Sequence, residues 1–157
     1  MAVLTQGTHV WIKHGTTPTL TRMTCIKALT LGDDSATEIN DTCLDEPETT
    51  TSQYGLTTPG EGSIQIDTDP ANASHITLLG LADTKETVEV YVGWADGTAD
   101  LTMTTGTVTM PTTRTWSTFT AQLRKGSPVF DADSLVNHTI PMKRRTEVTE
   151  TFKVVTP

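Results

Sequence analysis

Period-2 alternation of apolar and polar positions dominates the chain. Thr87–Ala95 (TVEVYVGWA) sets Val88, Val90, Val92 and Trp94 on one side against Glu89 and Tyr91, and Ser63–Asp67 pairs Ile64 with Ile66. Thr8–Lys13 is a short β run ended by Gly15 and Pro18, and further strands are expected at 114–123, 138–143 and 147–155. Thr24–Leu31 and Ala36–Leu44, separated by Gly32-Asp33-Asp34, are predicted to form a hairpin across 24–44. Asp96-Gly97 directly after the best strand predicts a second hairpin, returning through Ala99–Met103. One segment has helical character over 69–80: Asp69 as cap, Pro70 in the first turn and Gly80 as stop, with Ile76, Leu79 and Leu78 facing a sheet. Between the strands, Asp45–Gly62 carries two prolines, three glycines, four acids and no base, and is read as a long acidic loop with Tyr54 and Leu56 in its middle. These elements predict one mainly β domain over 1–157, an antiparallel β-sandwich with one flanking α-helix.

Composition sharpens this reading. Thr supplies 35 of the 157 residues, and β-branched Thr suits half-buried pleated surfaces better than helix interiors. Only 35% of residues are hydrophobic, so the core is expected to be thin or completed by neighbouring copies. The formal charge is −8, distributed as +3 over residues 1–32, −14 over 33–100 and +3 over 101–157. Unlike charges on different surfaces fit head-to-tail association, and the same pattern reads equally as a solvated polar surface. An acidic chain repels phosphate, which disfavours nucleic-acid binding, and no apolar stretch approaches membrane-spanning length. The N-terminal residues show no basic n-region followed by an apolar run, so no export signal is expected, and Cys25 and Cys43 read as free thiols buried as small hydrophobes.

The spacings of catalytic and metal-binding motifs are absent. His9, His14, His75 and His138 form no metal-ligand motif, no phosphate loop follows a strand, and no nucleophile elbow exists. Paired acids such as Asp33-Asp34 and Asp67/Asp69 sit beside turns, where acids belong for local reasons. The chain is therefore expected to be no enzyme and to need no cofactor.

Three passages, in order, carry a resemblance. They are Leu29-Thr-Leu-Gly followed by Thr37–Asp45; the long loop through Gly55-Leu-Thr-Thr-Pro-Gly-Glu-Gly-Ser into Ile64-Gln-Ile-Asp and the Asp-Pro-started helix; and Tyr91-Val-Gly-Trp-Ala-Asp-Gly-Thr. Together they make the chain similar to the major tail tube proteins of lambda-type phages with non-contractile tails. The resemblance implies a virion subunit, assembled in the host cytoplasm, that closes into hexameric rings. Sheets of six copies would complete a β-barrel whose bore passes double-stranded DNA without specific binding. It implies an inter-ring role for the long loop, with Asp45, Glu46, Pro47, Glu48, Gln53, Tyr54 and Leu56 as contact candidates. Bore-lining acid candidates are Glu38, Glu89, Glu147 and Glu150, and Lys143, Arg144 and Arg145 are basic contact candidates. Expected partners are other copies of the chain and the tail terminator, tape-measure and distal tail proteins, with no membrane. The alternatives carried beside it are a tail terminator or baseplate hub protein, and an extracellular β-sandwich binding module.

Overall fold

A computed structural model describes residues 1–156. The strands are β1 (His9–His14), β2 (Thr19–Met23), β3 (Ile26–Thr30), β4 (Ser35–Asn40), β5 (Ser52–Thr58), β6 (Glu61–Asp67), β7 (Thr87–Gly93), β8 (Thr102–Thr104), β9 (Thr107–Thr109), β10 (Trp116–Leu123), β11 (Asn137–Arg144) and β12 (Thr149–Thr151). Helix α1 (Ala73–Asp83) lies between β6 and β7. The main sheet runs in the order β2-β1-β7-β10-β11-β6-β3, antiparallel at each pairing, with β12 also on β10; β4-β5 and β8-β9 form separate two-stranded ribbons. The chain is mainly β with one helix, as the alternation implied.

The alternation in β7 carries the core. Val90 lies between Ile12 on β1 and Phe119 on β10, while Val88 pairs with Ala121 and Val92 with Val10. These side chains are buried with Ile64, Ile66, Ile140 and Met142 from β6 and β11, and with Leu78, Leu81 and Ala82 from α1. Burying each of the Val, Ile, Leu, Phe and Met side chains among them stabilises by about 1.5–3 kcal/mol. β10 makes this a two-sided arrangement. One of its edges is occupied by β7, whereas the other carries β12 at Trp116–Thr118 and β11 only at Ala121–Leu123. The short β10–β11 join lets the wing β2-β1-β7-β10 and the wing β11-β6-β3 contribute to one core. A smaller cluster, Trp11, Trp116 and Leu101, lies on the other face of β1 and β10, with Val108 of the β8-β9 ribbon packed against it.

Several expectations change. β3 and β4 do not pair with each other: β3 pairs with β6 and β4 with β5, so residues 26–67 form one long, interrupted hairpin. The stretch read as an irregular loop at 45–62 therefore contains β5 and the start of β6. Asp96-Gly97 is not a hairpin turn, because both edges of β7 are already taken by β1 and β10. Instead the Asp96 carboxylate accepts from the Thr115 amide at 3.1 Å and from its hydroxyl.

The helix starts later than expected because Asn72 is its cap, accepting from the Ser74 amide at 3.0 Å, while Asp69 closes the preceding turn by accepting from Ala71 N–H. It runs through Gly80, at a cost of about 1 kcal/mol relative to Ala, which burial of Leu81 and Ala82 beyond it offsets. Ile76 is exposed and Leu78 is buried. β2 follows β1 through a turn at Gly15, whose φ of 88° suits glycine. The last strand shortens to Thr149–Thr151, and both cysteines are exposed rather than buried.

Candidate assembly surfaces

The β4-β5 ribbon is an arm with no core of its own. From Asp33 to Thr58 every residue is exposed except Thr42 and Gly55, which are half-buried. The sequence explains this: β4 (SATEIN) and β5 (SQYGLTT) offer one large apolar residue and two respectively, too few to line a packed face. Yet those residues are bare. Tyr54 is 86% exposed and Leu56 87%, with Ile39 and Leu44 also open. An isolated two-stranded ribbon is marginal in water, so exposed apolar groups on it point to burial against another chain.

Asp45, Glu46, Pro47 and Glu48 lie together in the exposed turn at the arm's tip, and Gln53, Tyr54 and Leu56 follow on β5. The tip is braced from within: Thr51 N–H donates to Thr42 Oγ1 at 2.8 Å, and Gln53 donates to Asp41. The Gln53 amide, then Thr51, hold the Asp41 carboxyl below its ordinary range.

The four acids named as bore candidates do not form one row. Glu38 is on the arm, opposite Tyr54, and accepts from the Ser52 hydroxyl. Glu89 lies on β7, 3.1 Å from Lys13 Nζ. It also accepts from Tyr91, whose hydroxyl is pushed up to about 12 by burial and then by the Glu89 charge. Glu147 is in the exposed turn before β12, and Glu150 is on β12 opposite Ser117. In register Glu89 lies opposite Thr120, so it and Glu150 project from opposite faces of the sheet.

The basic triple also divides. Lys143 and Arg145 are exposed, but Arg144 is buried, its side chain 1% exposed. Its Nε donates to Leu31 O at 2.8 Å, Nη1 to Thr146 O at 3.1 Å, and Nη2 to Gly32 O at 3.0 Å and to Asp34. Arg144 is thus an internal anchor, not a surface contact, because these acceptors occupy its guanidinium. Its hydrogen bond, followed by that of the Gly60 amide, holds the Asp34 carboxyl below its usual range.

Sequence reasoning missed Arg114 entirely. It is fully buried, stacked 5.7 Å from the Trp11 ring centroid and 5.4 Å from that of Trp116. It donates to the carbonyls of Gly7, Gly93, Trp94 and Ala99 at 2.6–3.1 Å, and Nη1 lies 3.1 Å from His9 Nδ1. With Nδ1 as acceptor, His9 is neutral and carries its proton on Nε2. Burial first, then the charges of Arg22 and Arg114, lower its pKa against the pull of Asp100.

Further exposed apolar side chains lie outside the arm: Phe130 and Leu135 in the 124–136 segment, Phe152 and Val155 near the C-terminus, and Leu4 near the N-terminus. β2 and β3 end the main sheet and leave their outer backbone edges open. Among the described residues no group of three or more His, Cys, Asp or Glu could hold a metal ion. The surface thus offers open strand edges and apolar projections, which suit association.

Comparison with known proteins agrees. A family described as "Phage tail tube, TTP, lambda-like" matches residues 1–154. The chain is 31% identical over 145 residues to "Structural protein 3" of Pseudomonas phage PAJU2, spanning 88% of this chain and 87% of that one. Among solved structures, the fold is shared with a chain of the anti-feeding prophage baseplate (TM-score 0.69, 10% identity, 99% of both chains). It is shared also with a chain of the PVC sheath/tube terminator of an extracellular contractile injection system (TM-score 0.65, 10% identity, 96% and 97%). A chain of the PVC sheath-tube complex matches at TM-score 0.57 and 13% identity, over 91% and 88%.

Proposed function

Since the chain belongs to the lambda-like phage tail tube family, we propose that it is the repeating subunit of a non-contractile tail, six copies closing a ring and stacked rings forming the tube. A member of this family is a structural component of the virion and not an enzyme. The observation that carries the finer reading is the arm: a projecting ribbon with bare Tyr54 and Leu56, and Leu44 at its tip. We assign it to contact between successive rings. Ring closure in turn would cover the open edges of the main sheet.

The charge supports a conduit. A ring of six copies carries about six times −8, or about −48, and such a field repels the DNA phosphates, so duplex slides without sticking. The tape-measure, terminator and distal tail proteins of the same particle are the partners this reading requires.

The test is direct. Purified protein is concentrated and viewed by negative-stain electron microscopy, with six-fold rings or tubes expected. A species that stays monomeric at all salt and protein concentrations overturns the reading. The second reading, another ring component such as a terminator or baseplate protein, is separated by copy number. A tube subunit is the dominant tail band of purified particles, whereas a terminator or baseplate ring contributes only a few copies.

A further inference from the structure

We propose that Arg144 and Asp34 form a clamp that fixes the attitude of the arm to the body, presenting the stacking element already oriented. The proposal rests on the stacking role argued above. β3 with β4, and β5 with β6, are two long strands that break at the same level. Ladder pairing of the lower ribbon stops at Thr30↔Ser63 and that of the arm begins at Ser35↔Thr58. Between them lie the linkers Leu31–Asp34 and Pro59–Gly62, the second held only on β11 from Glu61 onward. Two short linkers with no ladder joining them make a hinge unless something else holds them.

What holds them is β11. The Arg144 guanidinium binds the first linker at Leu31 O, Gly32 O and the Asp34 carboxylate, while the backbone N–H of the same residue donates to Gly60 O of the second at 3.3 Å. The linkers are also joined to each other, Gly60 N–H donating to Asp34 Oδ1 at 3.1 Å. Their closeness requires glycine. At Gly32, with φ 75°, a Cβ would lie 2.1 Å from Glu61 O, and at Gly60 one would lie 2.3 Å from Asp33 O. A planar, multi-donor guanidinium can serve these acceptors together, and a lysine ammonium has no such fork. Asp34 is the one acidic partner in the set, and its single oxygen Oδ1 accepts from both Arg144 and Gly60. Stacking gains from a pre-set arm because the ordering cost is met at folding rather than at assembly.

The experiment compares full-length wild type with Asp34→Ala, Asp34→Asn and Tyr54→Thr/Leu56→Thr. Amide hydrogen exchange of residues 35–58 and of the body is measured on each protein, together with the critical concentration for assembly. Losing a charge-assisted hydrogen bond should lower arm protection relative to the body roughly ten- to a hundredfold in Asp34→Ala, and raise the critical concentration at least about tenfold. Asp34→Asn keeps an acceptor at Oδ1 and should regain most of the protection. Unchanged arm exchange in Asp34→Ala overturns the clamp, as does an Asn variant no better than Ala. If arm exchange rises but assembly is unchanged, pre-orientation is not what the clamp supplies. If Tyr54→Thr/Leu56→Thr also assembles normally, the fault lies in the stacking role instead.

Discussion

Replacing Tyr54 and Leu56 together by Thr should uncouple folding from assembly. Thr is a good strand former, so β5 keeps its backbone preference while losing its two large apolar side chains. In the isolated subunit both are almost fully exposed and pack on nothing, so folding stability should change by no more than about 0.5 kcal/mol. For a domain of this size that is about 1–2 °C in Tm. At a ring–ring contact the loss is larger. Burying a side chain of this size contributes about 1.5–3 kcal/mol, so the pair is worth roughly 3–6 kcal/mol if both are covered. At 1.4 kcal/mol per decade, that raises the critical concentration for tubes by about two to four orders of magnitude.

The assay is pelleting of polymer against protein concentration, with calorimetry on the unassembled protein as the folding control. A Tm within about 2 °C of wild type and a critical concentration raised at least about a hundredfold would fit. Tubes of normal length at an unchanged critical concentration would show that these side chains stay in solvent, and the arm would lose its assigned contact.

Three further outcomes follow from the packing. Gly62→Ala places a Cβ 2.0 Å from Thr30 O, in the backbone ladder where neither strand can yield, and should lower Tm by roughly 5–15 °C with loss of β3–β6 protection in hydrogen exchange. Arg114→Met leaves the carbonyls of Gly7, Gly93, Trp94 and Ala99 without their shared donor. A cost of about 3–5 kcal/mol is expected in chemical denaturation, and wild-type stability would refute its role as an anchor. Acid should weaken the fold in two stages. Burial lowers the pKa of His138 and, with Arg22 and Arg114, that of His9, so the folded state resists a proton that the unfolded state accepts, and stability falls as pH drops below about 6.5. Desolvation at Asp96 is outweighed by its Thr115 hydrogen bonds, and Asp34 is held low by Arg144, so both carboxylates stabilise above their ordinary range and lose this as pH falls through it. A stability profile flat from pH 7 to 3 would contradict both stages.

The strands with strict alternation were legible because their pattern reports burial directly. β7 shows Val88, Val90 and Val92 buried and Glu89 half-exposed, as its residues suggest. Pairing was less legible, since it depends on which edges other strands have taken. Asp96-Gly97 is a sound local turn signal, overridden because β1 and β10 already flank β7. Within the arm, β4 reads as a strand but with β3 as its partner, whereas β5 is missed for the opposite reason: with no buried face it carries no periodic signature. Tyr54 and Leu56 nevertheless stand out, because apolar groups within a polar, Pro- and Gly-bearing stretch are conspicuous in sequence, whereas the tip acids are named through the family resemblance. Arg144 looked like a surface base because it stands between Lys143 and Arg145. In a strand, alternation alone turns the middle residue inward.

Arg114 and Arg144 share a logic that the composition makes intelligible. A chain with 35% hydrophobic residues and 8 aromatics cannot bury every loop against apolar groups. Here two buried guanidiniums collect the backbone carbonyls of irregular segments, Arg114 tying Gly7 and Ala99 to the end of β7, and Arg144 tying the arm's linker to β11. A cation bound mainly by carbonyl dipoles is costly to desolvate, so such anchors are stable only when their donors are satisfied, and no buried side-chain nitrogen or oxygen among the described residues lacks a partner. Under the proposed assembly, Tyr54, Leu56, Phe130 and Phe152, exposed in the single subunit, are the side chains that neighbouring copies would cover.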